Sequence, residues 1–358
     1  MKIAIDLTPL FGRKSTGVEL YAIDLYRALM KTQHEIIPIF HVKNELDNNN
    51  NAYIIKKTPR LILENIKLTQ AIKTIKPTIM IFPIFPPPFN SYGTTKIITV
   101  LHDLAYRKFR ETLNIAAKYY LTPKMNWALK HSNAIITISN TVKEEATSIC
   151  SCPIFNCGEN ISSEYLNIQN SYSIEHLNKW SLEANKYIIS VSTIEPRKNF
   201  KYLLKVIKPL LDSQNLKLVL VGRKGWGKDK ELQQLIAEME EKIIFTEYIE
   251  LNQLKSLYHF AFFFILLSID EGFGRTPFEA AACGCKKIIL SDIKIFHETF
   301  DNNALFLPLN NISRSQELLQ NGIIPNIKPD FQIPFDDIEK KLPSFIDYIS
   351  LLDYNHTK

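Results

Sequence analysis

The sequence predicts an α/β fold in which parallel sheets carry helices on both faces. Short apolar runs rich in β-branched residues alternate with amphipathic stretches from one end of the chain to the other. This alternation is typical of parallel strands joined by helical crossovers. Because 358 residues are too many for one simple core, we expect two domains.

The composition is that of an ordinary globular protein, with 46% hydrophobic and 22% charged residues. No apolar run approaches the ~18–20 residues that would span a bilayer, and the opening residues Met1–Asp6 do not resemble a secretory signal. The five cysteines show no repeated zinc-like spacing. We therefore expect reduced thiols and a cytoplasmic location.

The net charge of +6 is modestly basic. No nucleic-acid-binding motif accompanies it, so nucleic acid is not expected as a partner. Part of the charge falls in Arg107–Arg110 and Lys118–Lys124, where aromatic residues interleave with basic ones. A solvated helix face would produce this pattern, and so would a surface that rests on an anionic membrane.

The predicted strands form two sets. The strands of the first set are Lys2–Leu7, Glu35–Phe40, Ile79–Phe82, Ile97–Leu101 and Ala134–Ile138. The strands of the second set are Tyr187–Val191, Leu216–Val221, Lys242–Phe245, Ala261–Leu267 and Lys287–Leu290. Apolar residues at helical spacing predict helices over Val18–Met30, Phe200–Leu211, Lys230–Met239 and Gln253–Phe260. A turn-rich segment near residues 160–180 separates the sets, so we expect domains at 1–165 and 180–335, with a last helix in 336–358 that packs back toward the first domain.

Ligands of open α/β sheets bind beyond the carboxyl ends of the strands, so the residues there are the candidates. After the first strand, Thr16 and Glu19 fit a capping box, and Gly17 could belong to a loop whose amides reach a phosphate. After Ile97–Leu101 comes His102, a residue that is more often structural than catalytic at such a position.

Two adjacent cations, Arg197 and Lys198, follow the first strand of the second set and lead into a helix. A planar guanidinium and a point-like ammonium suit an anion. Two solvated cations with Asn199 as a helix cap would explain the same residues. Gly222, Tyr248 and Ile249 follow the next two strands in plain loops, where the last two could wall a base pocket.

The most informative segment is Glu271–Glu279, in which seven residues separate two carboxylates. It follows the uncharged run Ala261–Ile269, which predicts a buried strand. A buried strand, a glycine turn and a helix start form an anion site, because free amides and the helix dipole point at the ligand. A carboxylate in the position of Glu271 is costly unless it meets cations or hydroxyls.

Helix-cap chemistry accounts for the rest of this segment without a ligand. Thr276 can cap a helix that begins at Pro277, and Glu279, three residues after the cap, can close a capping box. Gly284 would end the helix.

These segments together resemble those of the retaining glycosyltransferases of family 4. Glu271–Glu279 looks like the carboxylate–seven–carboxylate motif of that family. The other matching segments, in the same order as in the family, are Thr16–Tyr21, His102–Leu104, Ile194–Asn199 and Val221–Trp226. The resemblance covers nearly the whole chain. It implies the GT-B fold, two Rossmann-like domains whose parallel sheets face a central cleft, with the acceptor on the first domain and a nucleotide sugar on the second.

The resemblance also implies roles for the matching residues. The implied catalytic residues are Glu271 at the donor-sugar hydroxyls, Lys198 and Arg197 at the leaving phosphate, and His102 near the reacting carbon. The implied donor-binding residues are Gly17 and Gly222 in their loops, Phe273, Gly274, Arg275 and Thr276 at the diphosphate, Glu279 at the ribose, and Tyr248 and Ile249 at the base. The chain departs from the family pattern at Ser192–Thr193, Glu247, Arg275 and Lys286–Lys287.

The implied reaction is transfer of a hexose from a nucleoside diphosphate sugar to a growing or polyprenyl-linked glycan, with the anomeric configuration retained. No Asp-x-Asp motif or metal-ligand spacing is present in the sequence, so neither a metal nor a cofactor is expected. A sugar-nucleotide epimerase on the same architecture would form product without an acceptor. A catalytically weak subunit of a polysaccharide assembly complex would bind nucleotide without transferring sugar.

Overall fold

The computed structural model describes residues 1–10, 16–42, 45–46, 51–90, 92–113, 115–166, 172–223, 229–322 and 324–351. The chain divides into two compact units. The N-terminal unit comprises Met1–Asn160 and the segment from Asp336 onward, and the C-terminal unit comprises Ile161–Phe335. Within the described ranges, no helix combines the length and the apolar character needed to cross a bilayer.

The strands are β1 Lys2–Asp6, β2 Glu35–Phe40, β3 Tyr53–Ile54, β4 Ile79–Phe82, β5 Lys96–Leu101, β6 Ala134–Thr137, β7 Ile154–Asn156, β8 Tyr187–Val191, β9 Lys217–Val221, β10 Ile243–Glu247, β11 Phe263–Leu266, β12 Ile288–Ser291 and β13 Leu305–Leu307. The helices are α1 Gly17–Met30, α2 Arg60–Ile62, α3 Leu68–Ile75, α4 Ala105–Lys108, α5 Thr122–His131, α6 Asn140–Thr147, α7 Glu175–Asn178, α8 Phe200–Gln214, α9 Lys230–Glu238, α10 Leu251–His259, α11 Arg275–Ala282, α12 Lys294–Phe300, α13 Ile312–Asn321 and α14 Asp337–Leu351. Two π-helical turns, Leu63–Lys67 and Ala117–Leu121, lie directly before α3 and α5.

The N-terminal unit contains a parallel seven-stranded sheet in the order β3-β2-β1-β4-β5-β6-β7. Its central strands are buried apolar runs, as expected for parallel strands covered on both faces. The last helix, α14, belongs to this unit. Lys31, directly after α1, lies 3.4 Å from Glu339 of α14, and the ring of Phe345 contacts Phe155 of β7.

The C-terminal unit contains a parallel six-stranded sheet in the order β10-β9-β8-β11-β12-β13. Counted within the unit, this is the 3-2-1-4-5-6 order of the doubly wound fold, and the order reverses between β8 and β11. The buried residues of α8 recur at helical spacing from Phe200 to Leu211 and pack on the sheet. Both units are therefore Rossmann-like.

The structure confirms every strand and helix predicted above, with ends that differ by a few residues. It adds β3, β7 and β13, which were not predicted. Each spans only two or three residues and lies at the edge of its sheet. These edge strands are partly exposed, and two or three residues are too few to show the apolar pattern that identified the central strands.

Candidate functional site

The reversal point of the C-terminal sheet gathers the charged residues that the sequence analysis selected. Ligands of doubly wound sheets bind at such a point, outside the carboxyl ends of the strands. The turn Pro196–Lys198 follows β8, and Glu271 follows β11, the strand that pairs with β8. The N–H of Ile269 donates to the carbonyl of Arg197 at 2.8 Å, which joins the two loops.

The carboxylate of Glu271 lies at the centre of a buried ion cluster. It accepts hydrogen bonds from the ammonium of Lys198 at 2.5 Å, from Nη1 of Arg197 at 3.0 Å and from the hydroxyl of Ser268 at 2.7 Å. The sequence required cations or hydroxyls around this carboxylate, and the structure supplies both. The site thus brings together Arg197, Lys198 and Glu271 within one unit.

The two cations hold Glu271 in its charged form. Burial raises the pKa of this carboxyl, but the charges of Lys198 and Arg197 and the hydrogen bonds from Lys198 and Ser268 outweigh burial, so the pKa lies below its usual value. An ammonium has three N–H donors. Lys198 can therefore hold Glu271 and an anionic ligand at the same time.

Arg197 is fixed by further contacts that the sequence did not predict. Its Nη2 donates to the carboxylate of Glu195 at 2.9 Å, and its Nη1 also donates to the carbonyl of Asp270 at 2.8 Å. The alternative of two solvated cations is therefore wrong, because both side chains are mostly buried and paired. Asn199 does precede α8, but it adopts a left-handed backbone and makes no side-chain cap hydrogen bond.

The helix beside this cluster begins earlier than predicted. α11 starts at Arg275 rather than at Pro277, and its N-cap is Gly274 rather than Thr276. Gly274 has φ 85°, a left-handed backbone that glycine adopts readily, and a Cβ there would lie 2.6 Å from the ring of Phe296. Thr276 instead lies inside the first turn, where a helix leaves its N–H groups without an intrahelical partner.

Phe273 precedes this helix start. It is buried, and its ring stacks on Phe278 of α11 with centroids 5.1 Å apart. Gly284 follows α11 with a left-handed φ of 83°, which confirms the predicted end of the helix.

Glu279 does not close a capping box, because the helix begins before the predicted cap. Its buried carboxylate accepts a hydrogen bond from the hydroxyl of Tyr258 at 3.2 Å, and the hydroxyl of Tyr165 is a second partner. Burial raises the pKa of Glu279, and the charge of Arg275 and the two tyrosine hydrogen bonds only partly offset this. Glu279 is therefore a carboxyl whose charged form is disfavoured in the folded protein.

Replacing Glu279 by glutamine is expected to leave the free energy of unfolding at neutral pH equal to or above that of the parent. Folding raises the pKa of Glu279. The parent therefore loses stability as the pH rises from the pKa of glutamate in the unfolded chain, about 4.3, through the pKa of Glu279 in the folded protein. Glutamine does not titrate, so the variant does not show this loss. Denaturant unfolding at several pH values measures this. A variant that loses stability relative to the parent as the pH rises would contradict it.

The other predicted donor-binding residues of this unit follow β9 and β10. Gly222 has φ 142°, and a Cβ there would lie 2.2 Å from the carbonyl oxygen of Ser192, so the turn after β9 packs directly on the loop after β8. The rest of that glycine-rich loop, residues 224–228, lies outside the described residues. Tyr248 is exposed, whereas Ile249 is buried.

Gly17 and His102 belong to the N-terminal unit. Gly17 is the first residue of α1, and the predicted capping box is present, with the N–H of Thr16 donating to Glu19 at 2.7 Å. Residues 11–15 of the preceding loop lie outside the described residues. His102 follows β5, its Nε2 lies 2.8 Å from the carbonyl oxygen of Pro83, and its ring meets Tyr21 edge to face.

A second buried ion cluster, which the sequence analysis missed, lies in the N-terminal unit. Lys124 was counted with the surface cations, but its side chain has no exposed area, and its ammonium lies 3.1 Å from the carboxylate of Glu64. Glu64 also accepts hydrogen bonds from Arg60 and from the hydroxyl of Tyr120. The one signal in the sequence is that Glu64 is the single acid of a basic, apolar helix.

A further buried carboxyl, that of Asp6, lies at the carboxyl end of β1. It accepts hydrogen bonds from the N–H and the hydroxyl of Thr8. Burial raises its pKa to about 6. Among the residues that the structure describes, His, Cys, Asp and Glu form no group of three that could hold a metal ion.

Comparison with known proteins identifies relatives of both units. Residues 174–321 match the family model described as glycosyl transferases group 1. The O-antigen chain mannosyltransferase RfbU of Salmonella typhimurium is 30% identical over 263 residues. These residues make up 73% of this chain and 66% of the length of that protein. The O-antigen chain mannosyltransferase B of Escherichia coli is 25% identical over 85% of this chain and 86% of its own length.

Solved structures share the two-unit architecture over nearly the whole chain. A structure of Anabaena Alr3699/HepE in complex with UDP-glucose has a TM-score of 0.67 and 14% identity, covering 97% of this chain and 100% of its own. WaaG, described as a glycosyltransferase involved in lipopolysaccharide biosynthesis, has a TM-score of 0.67 and 12% identity, covering 89% and 90%. At these identities the likeness shows the fold alone, and that fold is GT-B.

Proposed function

Because the chain belongs to the group 1 glycosyltransferase family, we propose that it transfers a hexose from a nucleoside diphosphate sugar to a growing or polyprenyl-linked surface glycan. The observation that carries the proposal is the Lys198–Glu271–Arg197 cluster, which lies at the reversal point of the C-terminal sheet. Two relatives are named O-antigen mannosyltransferases. Mannose is therefore the first hexose to test, before rhamnose and glucose.

The proposed chemistry follows from the charges of the cluster. The bond between the anomeric carbon and the phosphate oxygen breaks, and the acceptor oxygen bonds to the same face of that carbon. Lys198 and Arg197, with the amides at the start of α11, stabilise the charge that develops on the leaving diphosphate. The leaving phosphate accepts the proton of the acceptor hydroxyl, and Glu271 receives hydroxyls of the donor sugar.

The remaining roles are proposed on the resemblance of the motifs. Glu279 holds the ribose, Tyr248 and Ile249 line the base, and His102 and Gly17 act from the N-terminal unit. The scheme uses no cofactor, since the protein supplies the charges that the diphosphate requires. We place the reaction in the cytoplasm, with peripheral contact to the inner face of the membrane.

The first test is binding. Nucleoside diphosphate sugars that differ in base and hexose are screened for a rise in melting temperature, because a ligand at a hundred times its dissociation constant stabilises by about 2.7 kcal/mol. The donor so identified is then incubated with a polyprenyl-linked oligosaccharide, and the new linkage is assigned by NMR. Transfer with retention supports the proposal. An epimerised donor in the absence of acceptor, or donor binding without any transfer, contradicts it.

A further inference from the structure

A pocket of about 590 Å³ lies at the amino ends of β5 and β6 in the N-terminal unit. Its lining comes from the chain before β5, from the end of α5 and from the residue before β6. His102, to which the proposed function gives a role, follows the opposite end of β5, about 17 Å away along the strand. The pocket is therefore separate from the proposed site of sugar transfer.

Three aromatic rings form one wall of this pocket. The ring of His131 stacks on that of Trp127, with centroids 4.5 Å apart and planes inclined by 13°. Phe89 meets Trp127 edge to face at 5.5 Å, and it is 50% exposed. Trp127 and His131 lie one turn apart on α5, so the helix itself aligns their side chains. We call these three residues the aromatic wall.

The chain around Phe89 is held in place by the protein itself. Pro86–Pro88 directly precede Phe89 and restrict the backbone there. On the other side, the hydroxyl of Tyr92 donates to the carbonyl of Pro88 at 2.8 Å. A ligand would therefore meet a preformed wall, and binding would require little ordering of the protein.

Polar groups beside the aromatic wall have hydrogen-bonding capacity to spare. Oδ1 of Asn133 accepts the N–H of Ile97 at 2.8 Å, so its amide nitrogen carries two further donors. Nδ1 of His131 lies 2.8 Å from the carbonyl oxygen of Trp127, so Nδ1 carries the proton and Nε2 of the neutral ring is an acceptor. Among the described residues, neither that amide nitrogen nor Nε2 has a hydrogen-bond partner.

The pocket offers little charge to a ligand. Of the described residues that line it, Lys96 is the only Lys, Arg, Asp or Glu, and its ammonium donates to the carbonyl of Ile349 at 2.9 Å. A phosphate group would call for more cations than this. An aliphatic chain would cover the amide of Asn133 and Nε2 of His131 without bonding them, which is unfavourable.

We infer that this pocket binds a neutral saccharide. A sugar ring has faces of C–H groups, which pack on the electron-rich face of an aromatic ring, and a rim of hydroxyls that both donate and accept. The aromatic wall suits the C–H face, and Asn133 and His131 suit the hydroxyls. Aromatic lining with a few placed polar groups is typical of a ligand site. The inference rests on the proposed function in one respect, since a growing glycan would be the saccharide held there.

The test uses the indole of Trp127 as its reporter. The chain has three tryptophans, and the double variant Trp180→Phe with Trp226→Phe leaves only the one in the aromatic wall. A mannose trisaccharide and a glucose trisaccharide are titrated separately, without a nucleotide sugar. We expect at least one of them to change the indole emission saturably. Adding Phe89→Ala or His131→Ala should weaken its affinity about tenfold. Titration calorimetry repeats the comparison without the tryptophan substitutions.

Matched controls come from the C-terminal unit. Phe335 is 51% exposed, and Phe335→Ala should bind the trisaccharide as the parent does, as should Lys198→Ala. The inference is overturned if neither trisaccharide binds, if Phe89→Ala and His131→Ala both bind undiminished, or if uridine, which has a planar base, binds more tightly than both trisaccharides. The donor-induced rise in melting temperature is measured separately. Its absence would count against the proposed function and not against the saccharide pocket.

Discussion

Replacing Lys198 by alanine is expected to lower the rate of sugar transfer by at least about tenfold, and by up to about a thousandfold. The ammonium is mostly buried, so its charge acts in a region that water screens poorly. Alanine removes that charge from the diphosphate just as the leaving oxygen becomes negative. The measurement is kcat with a saturating donor and acceptor, together with the melting temperature of the variant.

The Lys198 variant also affects Glu271, and further variants separate the two effects. Glu271→Gln keeps the shape of the side chain and removes the charge that pairs with Lys198 and Arg197. Since the residues act as one cluster, we expect the double variant to lose much less than the product of the two single losses. Lys201→Ala is the control, because that exposed ammonium pairs with Glu231 on the helix surface and should leave kcat unchanged.

Transfer at the parent rate by both Lys198→Ala and Glu271→Gln would contradict the assigned roles. A fall in kcat without a fall in donor affinity would show that Lys198 stabilises the transition state rather than the bound donor. A fall in donor affinity alone would make the ammonium a binding group.

The sequence predicted those parts of the molecule that depend on residues close together along the chain. The central strands are continuous apolar runs, and the alternation of strands and helices along the chain produces a parallel sheet in each unit. The environment of Glu271 could also be anticipated, because a carboxylate after an uncharged strand requires positive partners. Arg197 and Lys198 were the available cations, and both bind it.

The features that escaped prediction depend on contacts between distant parts of the chain. Lys124 was interpreted as a surface cation because a basic segment is usually solvated, and its partner Glu64 lies sixty residues earlier. The start of α11 was misplaced for a different reason. Thr276 and Pro277 form a good cap signal, but the left-handed backbone at Gly274 begins the helix before them. A glycine in the sequence does not reveal which of its allowed conformations the fold selects.

Replacing Glu64 by glutamine is expected to lower the free energy of unfolding by about 3–5 kcal/mol, the largest effect on stability that we predict. Glu64→Gln leaves the ammonium of Lys124, whose side chain has no exposed area, without its carboxylate. A buried ammonium that loses its hydrogen-bonded carboxylate is far more destabilising than the absence of both charges, even though the charge of Asp6 also acts on Lys124. Denaturant unfolding of the purified variant at neutral pH measures the change.

A second substitution distinguishes the buried charge from a general disturbance of the helix. Combining Glu64→Gln with Lys124→Met removes the stranded cation and keeps an unbranched side chain of similar length, so most of the lost stability should return. Glu111→Gln is the control, because the exposed pair that Glu111 forms with Lys118 contributes less than about 1 kcal/mol. If the double variant is as unstable as Glu64→Gln alone, the loss comes instead from the contacts of Glu64 with Arg60 and Tyr120. In that event the carboxylate stabilises the fold chiefly by joining the helical segments that carry Arg60 and Tyr120, and its pairing with Lys124 contributes little.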